Sequence, residues 1–138
     1  MLRNDLATHP NACTLVYWHN PLIHSTNALS TKNSSVKWFW ADAFNGGADL
    51  VLGASRHYYE RFQTLDVNGA PATTGMREFV VGTGGRSHGK ATTIAPASEF
   101  RNTTNFGVLK LSLHAGSFDW AFLNEAGSTL DSGTQPCR

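Results

Sequence analysis

Two short apolar runs, CTLVYW at 13–18 and DLVL at 49–52, each stop at a polar loop that carries a histidine, His19 after the first and His57 after the second. Runs of this length, rich in β-branched and aromatic residues, form buried strands. Between them, Ser34 or Ser35 is placed to cap a helix running from Val36 to about Phe44, closed by Asn45, Gly46 and Gly47. Strand, helix and strand in that order call for a parallel crossover, and the functional loops of such units leave the carboxyl ends of the strands. His19 and His57 both fall there.

The flanks are simpler. Residues 2–8 read as the last turns of a helix ended at His9, Pro10 and Asn11, because proline disfavours helix in the residue before it. Trp38, Phe39 and Trp40 are consecutive and cannot share one helix face. Beyond residue 76 the pattern changes. REFVVG at 77–82, FGVLKLSLH at 106–114 and FDWAFL at 118–123 are short runs separated by glycine-containing turns, the signature of antiparallel sheet. In the middle run Leu109, Leu111 and Leu113 point to the core, with Val108, Lys110 and Ser112 on a partly wet face. Segment 82–96 is a long Gly/Ser/Thr-rich loop of the functional or mobile kind. Its first residues, Gly82, Thr83, Gly84 and Gly85, could cradle an anion with backbone amides, although short glycine-rich turns more often serve unusual backbone angles.

At 138 residues, with 41% hydrophobic residues, the chain has room for one domain, 1–138, and not two. A formal net charge of +1 supplies no field that would draw it to nucleic acid, and no apolar run approaches the length needed to span a membrane. Residues 1–8 lack the apolar stretch of a signal peptide. Ser25, Ser55 and Ser87 have no nucleophile-elbow context, which leaves a serine hydrolase little support. His9, His88 and His114 read as solvated side chains. Cys13 and Cys137 would close nearly the whole chain into a loop if they met; spacing alone leaves a disulfide and two free thiols equally open.

Three stretches carry a resemblance: CTLVYWHNPL at 13–22, GADLVLGASRHYYERF at 47–62 and REFVVGTGG at 77–85. In order and spacing they resemble the carboxyl-terminal half of the calcineurin-like metallophosphoesterases, of the secreted bacterial type related to purple acid phosphatases. The likeness continues through FGVLKL at 106–111 and FDW at 118–120 to Cys137. It implies an α/β (α+β) fold: half of an αββα sandwich, with a mixed sheet and antiparallel carboxyl-terminal strands. It also implies a disulfide between Cys13 and Cys137, which by loop entropy would contribute on the order of 4 kcal/mol.

In that family two divalent metal ions, zinc, iron or manganese, activate water for attack on a phosphoester. The resemblance makes His19 a metal ligand, the histidine of His-x-Pro. The second stretch normally reads Gly-His-x-His-x-Tyr-Glu-Arg; here Ser55 replaces the first loop histidine and His57 keeps the second. Ala28 falls where a substrate-facing histidine is expected, and His24, though near, is out of register. A serine hydroxyl is a poor ligand for a zinc-like ion, and Arg56 adds a fixed positive charge beside it. Tyr59, Glu60 and Arg61 read as scaffold. The family's aspartates and Asn-His motif belong to an earlier half. A metal is therefore expected to be weak or absent in a monomer, and a homo-oligomer or a partner chain is expected to supply what is missing. Two functions follow: a hydrolase of small phosphoesters completed by another chain, or a remnant that keeps the fold as an interaction module.

Overall fold

The computed structural model describes residues 1–26 and 33–138. The expectation attached to Ala28 falls outside those residues. Helix α1 spans Leu2–Thr8, as the proline at position 10 requires. Strand β1, Leu15–Tyr17, and strand β2, Leu50–Gly53, flank helix α2, Lys37–Asn45. The two strands are parallel, with Leu15 opposite Leu50 and Tyr17 opposite Leu52. The helix start differs from expectation. Asn33, rather than Ser34 or Ser35, is the cap: its side chain accepts from the Ser35 amide at 3.1 Å and opens a short 3₁₀ turn, Ser34–Val36, that runs into α2. Asparagine caps as well as serine, and one position earlier it satisfies an amide of the 3₁₀ turn.

Strand β4, Met76–Val81, lies parallel to β2 on one side and antiparallel to β3, Tyr59–Leu65, on the other. The run at 77–82 is thus the strand at which the sheet changes direction, and not a purely antiparallel one. Its central position explains why it is apolar apart from Arg77 and Glu78. Strand β5, Ser98–Asn102, pairs with β3 and completes the order β1-β2-β4-β3-β5. Strands β6, Gly107–Leu113, β7, Ser117–Asn124, and β8, Thr129–Pro136, form a second, antiparallel sheet in that order.

The five-stranded sheet separates two cores. On one face Val51, Phe62, Met76 and Val80 pack beneath Trp40 and Ala43 of α2 and beneath Leu22 and Ile23. On the other, Leu50, Tyr59 and Phe79 meet Phe118, Trp120 and Phe122 of β7. Each large side chain so buried is worth about 1.5–3 kcal/mol, which makes this double burial the main reason the sheets stack. Tyr59 lies flat on Phe122, ring centres 4.1 Å apart. Leu109 and Leu111 join this core, but Leu113, at the end of β6, is 53% exposed. Trp38 and Phe39 face outward while Trp40 is buried, as three consecutive aromatics must divide. A disulfide joins Cys13, ahead of β1, to Cys137, after β8, with Cα atoms 5.4 Å apart.

Candidate functional site

The two histidine loops are stitched together at the exits of β1 and β2. The His19 carbonyl accepts the Ala54 amide at 2.9 Å, and the Arg56 amide returns to the Ala54 carbonyl at 2.6 Å. Ser55 and His57 both adopt left-handed backbone angles, φ 44° and 54°. Non-glycine residues persist there only when their surroundings over-determine them. Two glycines do so here: the Gly82 amide donates to the Tyr58 carbonyl at 3.0 Å and the Gly89 amide to the His57 carbonyl at 2.8 Å. A Cβ on Gly82 would run into the His57 backbone, and one on Gly89 into the Arg56 carbonyl. Only glycine lets the strap approach so closely. Between them, Thr83 is buried and its hydroxyl donates to the Gly107 carbonyl at 2.8 Å, while Gly84 and Gly85 lie exposed at the bend.

Beneath the loop, two buried carboxylates hold the irregular segment 21–26. Glu78 accepts the amides of Leu22 at 2.7 Å and Ile23 at 2.9 Å. Glu60 accepts the Ser25 amide at 2.8 Å and the hydroxyls of Ser25 and Ser98, each at 2.5 Å. The Tyr58 hydroxyl donates to the Ser25 carbonyl. The Ser25 hydroxyl also accepts the Ala95 amide at 3.0 Å, so it is committed to structure. Burial pushes the Glu78 carboxyl up to about 8, against the pull of its two backbone donors. Tyr59 and Arg61 are scaffold, as expected from sequence. Asp131 accepts from the Tyr59 hydroxyl at 2.7 Å and from Arg61 Nε at 2.8 Å.

The loop opens onto a polar cavity of about 220 Å³, lined by Thr26, Ser55, Arg56, His57, Gly89 and Lys90 among others. Ser55 Oγ and Arg56 Nε are buried without a hydrogen-bond partner, and so is Nδ1 of His24, a residue only 4% exposed. Burial, and after it the charge of Arg56, lowers His24 to about 4. His19 lies elsewhere. It is exposed and lines an apolar groove of about 500 Å³ with Leu2, Leu15, Trp18, Val36 and Phe39. The two expected ligands thus share one end of the sheet but face separate cavities.

Among the described residues no three or more His, Cys, Asp or Glu side chains come together in a way that could hold a metal. The donor set does not fit one. Two imidazoles in different cavities, a neutral serine between them and a guanidinium alongside lack the donors of even an open zinc site. His24 was missed because its burial follows from the two carboxylates that hold segment 21–26, which no local pattern announces. His88, expected to be solvated, is exposed but stacks on Phe106 at 4.1 Å. His9 and His114 are exposed, His9 lying 3.2 Å from Asp5 and His114 2.8 Å from Asp119.

No family model and no curated protein matches the sequence. Solved structures do match the fold. Purple acid phosphatase PPD1 from yellow lupin (Lupinus luteus) seeds superposes with a TM-score of 0.80 at 18% identity over 98% of this chain. GAP50, described as the anchor in the inner membrane complex of Plasmodium, gives 0.80 at 16% over 99%, and PhoD gives 0.64 at 11% over 98%. The fold is that of the calcineurin-like metallophosphoesterases. Mixed sheet and antiparallel sheet both correspond to the metallophosphoesterase neighbours. The chain spans 27% of the lupin phosphatase, 41% of GAP50 and 30% of PhoD, so it carries part of the metallophosphoesterase fold.

Proposed function

We propose that this chain is the carboxyl-terminal portion of a metallophosphoesterase-type hydrolase of small phosphoesters, whose divalent-metal centre is completed by residues outside the chain. The observation that carries this reading is the position of His19. It lies exposed where β1 ends, and β1 is an edge strand whose outer side has no neighbour among the described residues. In a parallel pair alternate residues turn their amide and carbonyl groups to opposite sides; Thr14 and Trp18 bond toward β2, which leaves Leu15 and Tyr17 facing outward. Tyr17 is 79% exposed on this edge, and Phe39 of α2, 56% exposed, lines the groove beside it. Unpaired edges and exposed aromatic patches invite another chain. A partner, or a second copy related by a two-fold axis, would add donors next to His19. Elemental analysis and phosphatase assay of the purified protein, fractionated by size, test this. Metal and hydrolysis should be confined to assembled species. A monomer that holds metal tightly or hydrolyses p-nitrophenyl phosphate would refute completion by another chain.

A second reading is favoured by Arg56 and Ser55. A guanidinium with its Nε buried, beside a serine in the ligand loop, suits a module that keeps the fold and has lost the reaction. Assembled species free of both metal and hydrolysis would establish it over the first.

A further inference from the structure

Arg56 has no acidic partner among the described residues. None of the ion pairs among the described residues includes it, its Nε is buried with no hydrogen bond, and the cavity it lines contains no carboxylate. Glu60, beneath the loop, is taken up by Ser25 and by the Ser98 hydroxyl, which in turn accepts from Arg101 Nη1 at 2.6 Å. Lys90 adds a second cation to the same wall. Buried polar atoms are nearly always paired, and here two unpartnered donors, Ser55 Oγ and Arg56 Nε, belong to residues lining one cavity. A ligand suited to this wall accepts hydrogen bonds from a guanidinium and a hydroxyl and carries negative charge.

We propose that this cavity binds the phosphoryl group of a small phosphoester directly on Arg56, with Ser55, His57 and Lys90 around it and no metal ion between. A guanidinium presents a rigid fork that matches two phosphoryl oxygens, the strongest neutral-pH recognition of phosphate a side chain offers. Ser55 Oγ supplies a further donor. The left-handed angles at Ser55 and His57, held by the Gly82 and Gly89 amides, keep the cradle formed before the ligand arrives. About 220 Å³ is smaller than the roughly 300–1,000 Å³ that drug-sized ligands occupy, so the cavity fits the phosphoryl group and little beyond it. Where a metal ion would otherwise meet the phosphate, this chain places a fixed organic cation. The assignment stands whether or not the hydrolase reading holds.

Calorimetric titration of inorganic phosphate into protein stripped with a chelator tests it. The wild-type chain should bind phosphate without added metal. Arg56→Gln should weaken binding roughly tenfold to a hundredfold, the span of a charge-assisted contact. Arg56→Lys should lose much of the same amount, because the fork and not the charge alone is needed. In parallel, phosphate should shift the ring resonances of His57 and His24 in the wild-type protein, a readout independent of any variant's folding. Absence of binding in stripped wild-type protein would overturn the proposal, as would equal binding by a folded Arg56→Gln. Binding that appears only after zinc is added would also overturn it, while leaving the metal-dependent reading standing.

Discussion

The carboxylate of Asp131 on β8 meets the guanidinium of Arg61 on β3 through two hydrogen bonds, 2.8 Å to Nε and 3.1 Å to Nη2, across the interface between the two sheets. Trp120 Nε1 adds a third donor at 3.2 Å and the Tyr59 hydroxyl a fourth. Burial opposes ionisation of Asp131, but the bonds from Arg61 and Tyr59 outweigh it and hold the carboxyl below its usual range. Removing one partner of such a buried pair strands the other. Asp131→Ala should cost about 3 kcal/mol or more in urea unfolding. Glu99, which also pairs with Arg61 and Arg77 but is a third exposed, should cost about 1 kcal/mol or less as Glu99→Ala. Equal losses would contradict the assignment of Asp131 as the inter-sheet pin.

The disulfide between Cys13 and Cys137 ties the entry of the parallel unit to the last strand of the second sheet, 124 residues away in sequence. A loop of that size constrains the unfolded chain by on the order of 4 kcal/mol. Reduction should therefore lower the melting temperature by about 15 °C. Intact mass of the unreduced, alkylated protein checks the bond itself; two alkylated thiols would exclude it.

Stability should follow pH in an unusual way. Folded Glu78, at about 8 against an ordinary 4.5, keeps a proton that the unfolded chain has released, so its contribution is full below 4.5 and is lost as pH rises toward 8. Folded His24, at about 4 against 6.5, refuses a proton that the unfolded chain takes, so its contribution is full above 6.5 and is lost as pH falls toward 4. From 4.5 to 6.5 the slopes oppose each other, and stability should be level, then fall toward 8. His24→Gln removes one slope. Its stability relative to wild type should then decline by about 2 kcal/mol from pH 4.5 to 6.5, measured by chemical denaturation at each pH. A parallel pair of profiles would show that His24 is not held neutral.

Ser55→His restores an imidazole in the ligand loop, and histidine tolerates left-handed backbone better than most residues. Zinc affinity, read by calorimetry, should rise by about tenfold or more if residue 55 faces a metal position, since each added imidazole replaces a poor oxygen donor. If Ser55→His and His57→Ala both leave zinc binding unchanged, the loop faces no such position.

The edge of β1 should make the protein associate. Sedimentation at micromolar concentration should find a dimer or larger species, and Tyr17→Lys should shift it toward monomer, because edge lysines oppose strand addition. A folded, soluble monomer in the wild-type protein would remove the case for a partner at this edge.

The parallel crossover was legible because two apolar runs and a double glycine announce themselves, although the cap falls on Asn33 and not on Ser34 or Ser35. The strands that escaped notice, β3, β5 and β8, are those whose side chains alternate poorly. In YERFQTL, Glu60 is buried under Ser25 and Ser98 and Arg61 is half-buried against Asp131, so charged residues stand where a core pattern predicts apolar ones. In TLDSGTQP the strand is recruited by the ladder of β7, and Gly133 leaves room for the ring of Trp120. His19 and His57 were legible from the strand exits. Their division between two cavities was not, because it depends on how segment 21–26 and the glycine strap fill the space between them.

Segment 21–26 lies in no helix or named strand and is bridged to Thr93 through Thr26, yet three of its amides end on carboxylates rooted in β3 and β4. Hydrogen exchange reads such amides by what must break to free them, not by the shape of the backbone they sit in. Leu22, Ile23 and Ser25 should exchange only when β3 and β4 themselves open. A stretch of chain that would ordinarily tick on the clock of a loop is thereby slaved to the slowest motion of the sheet.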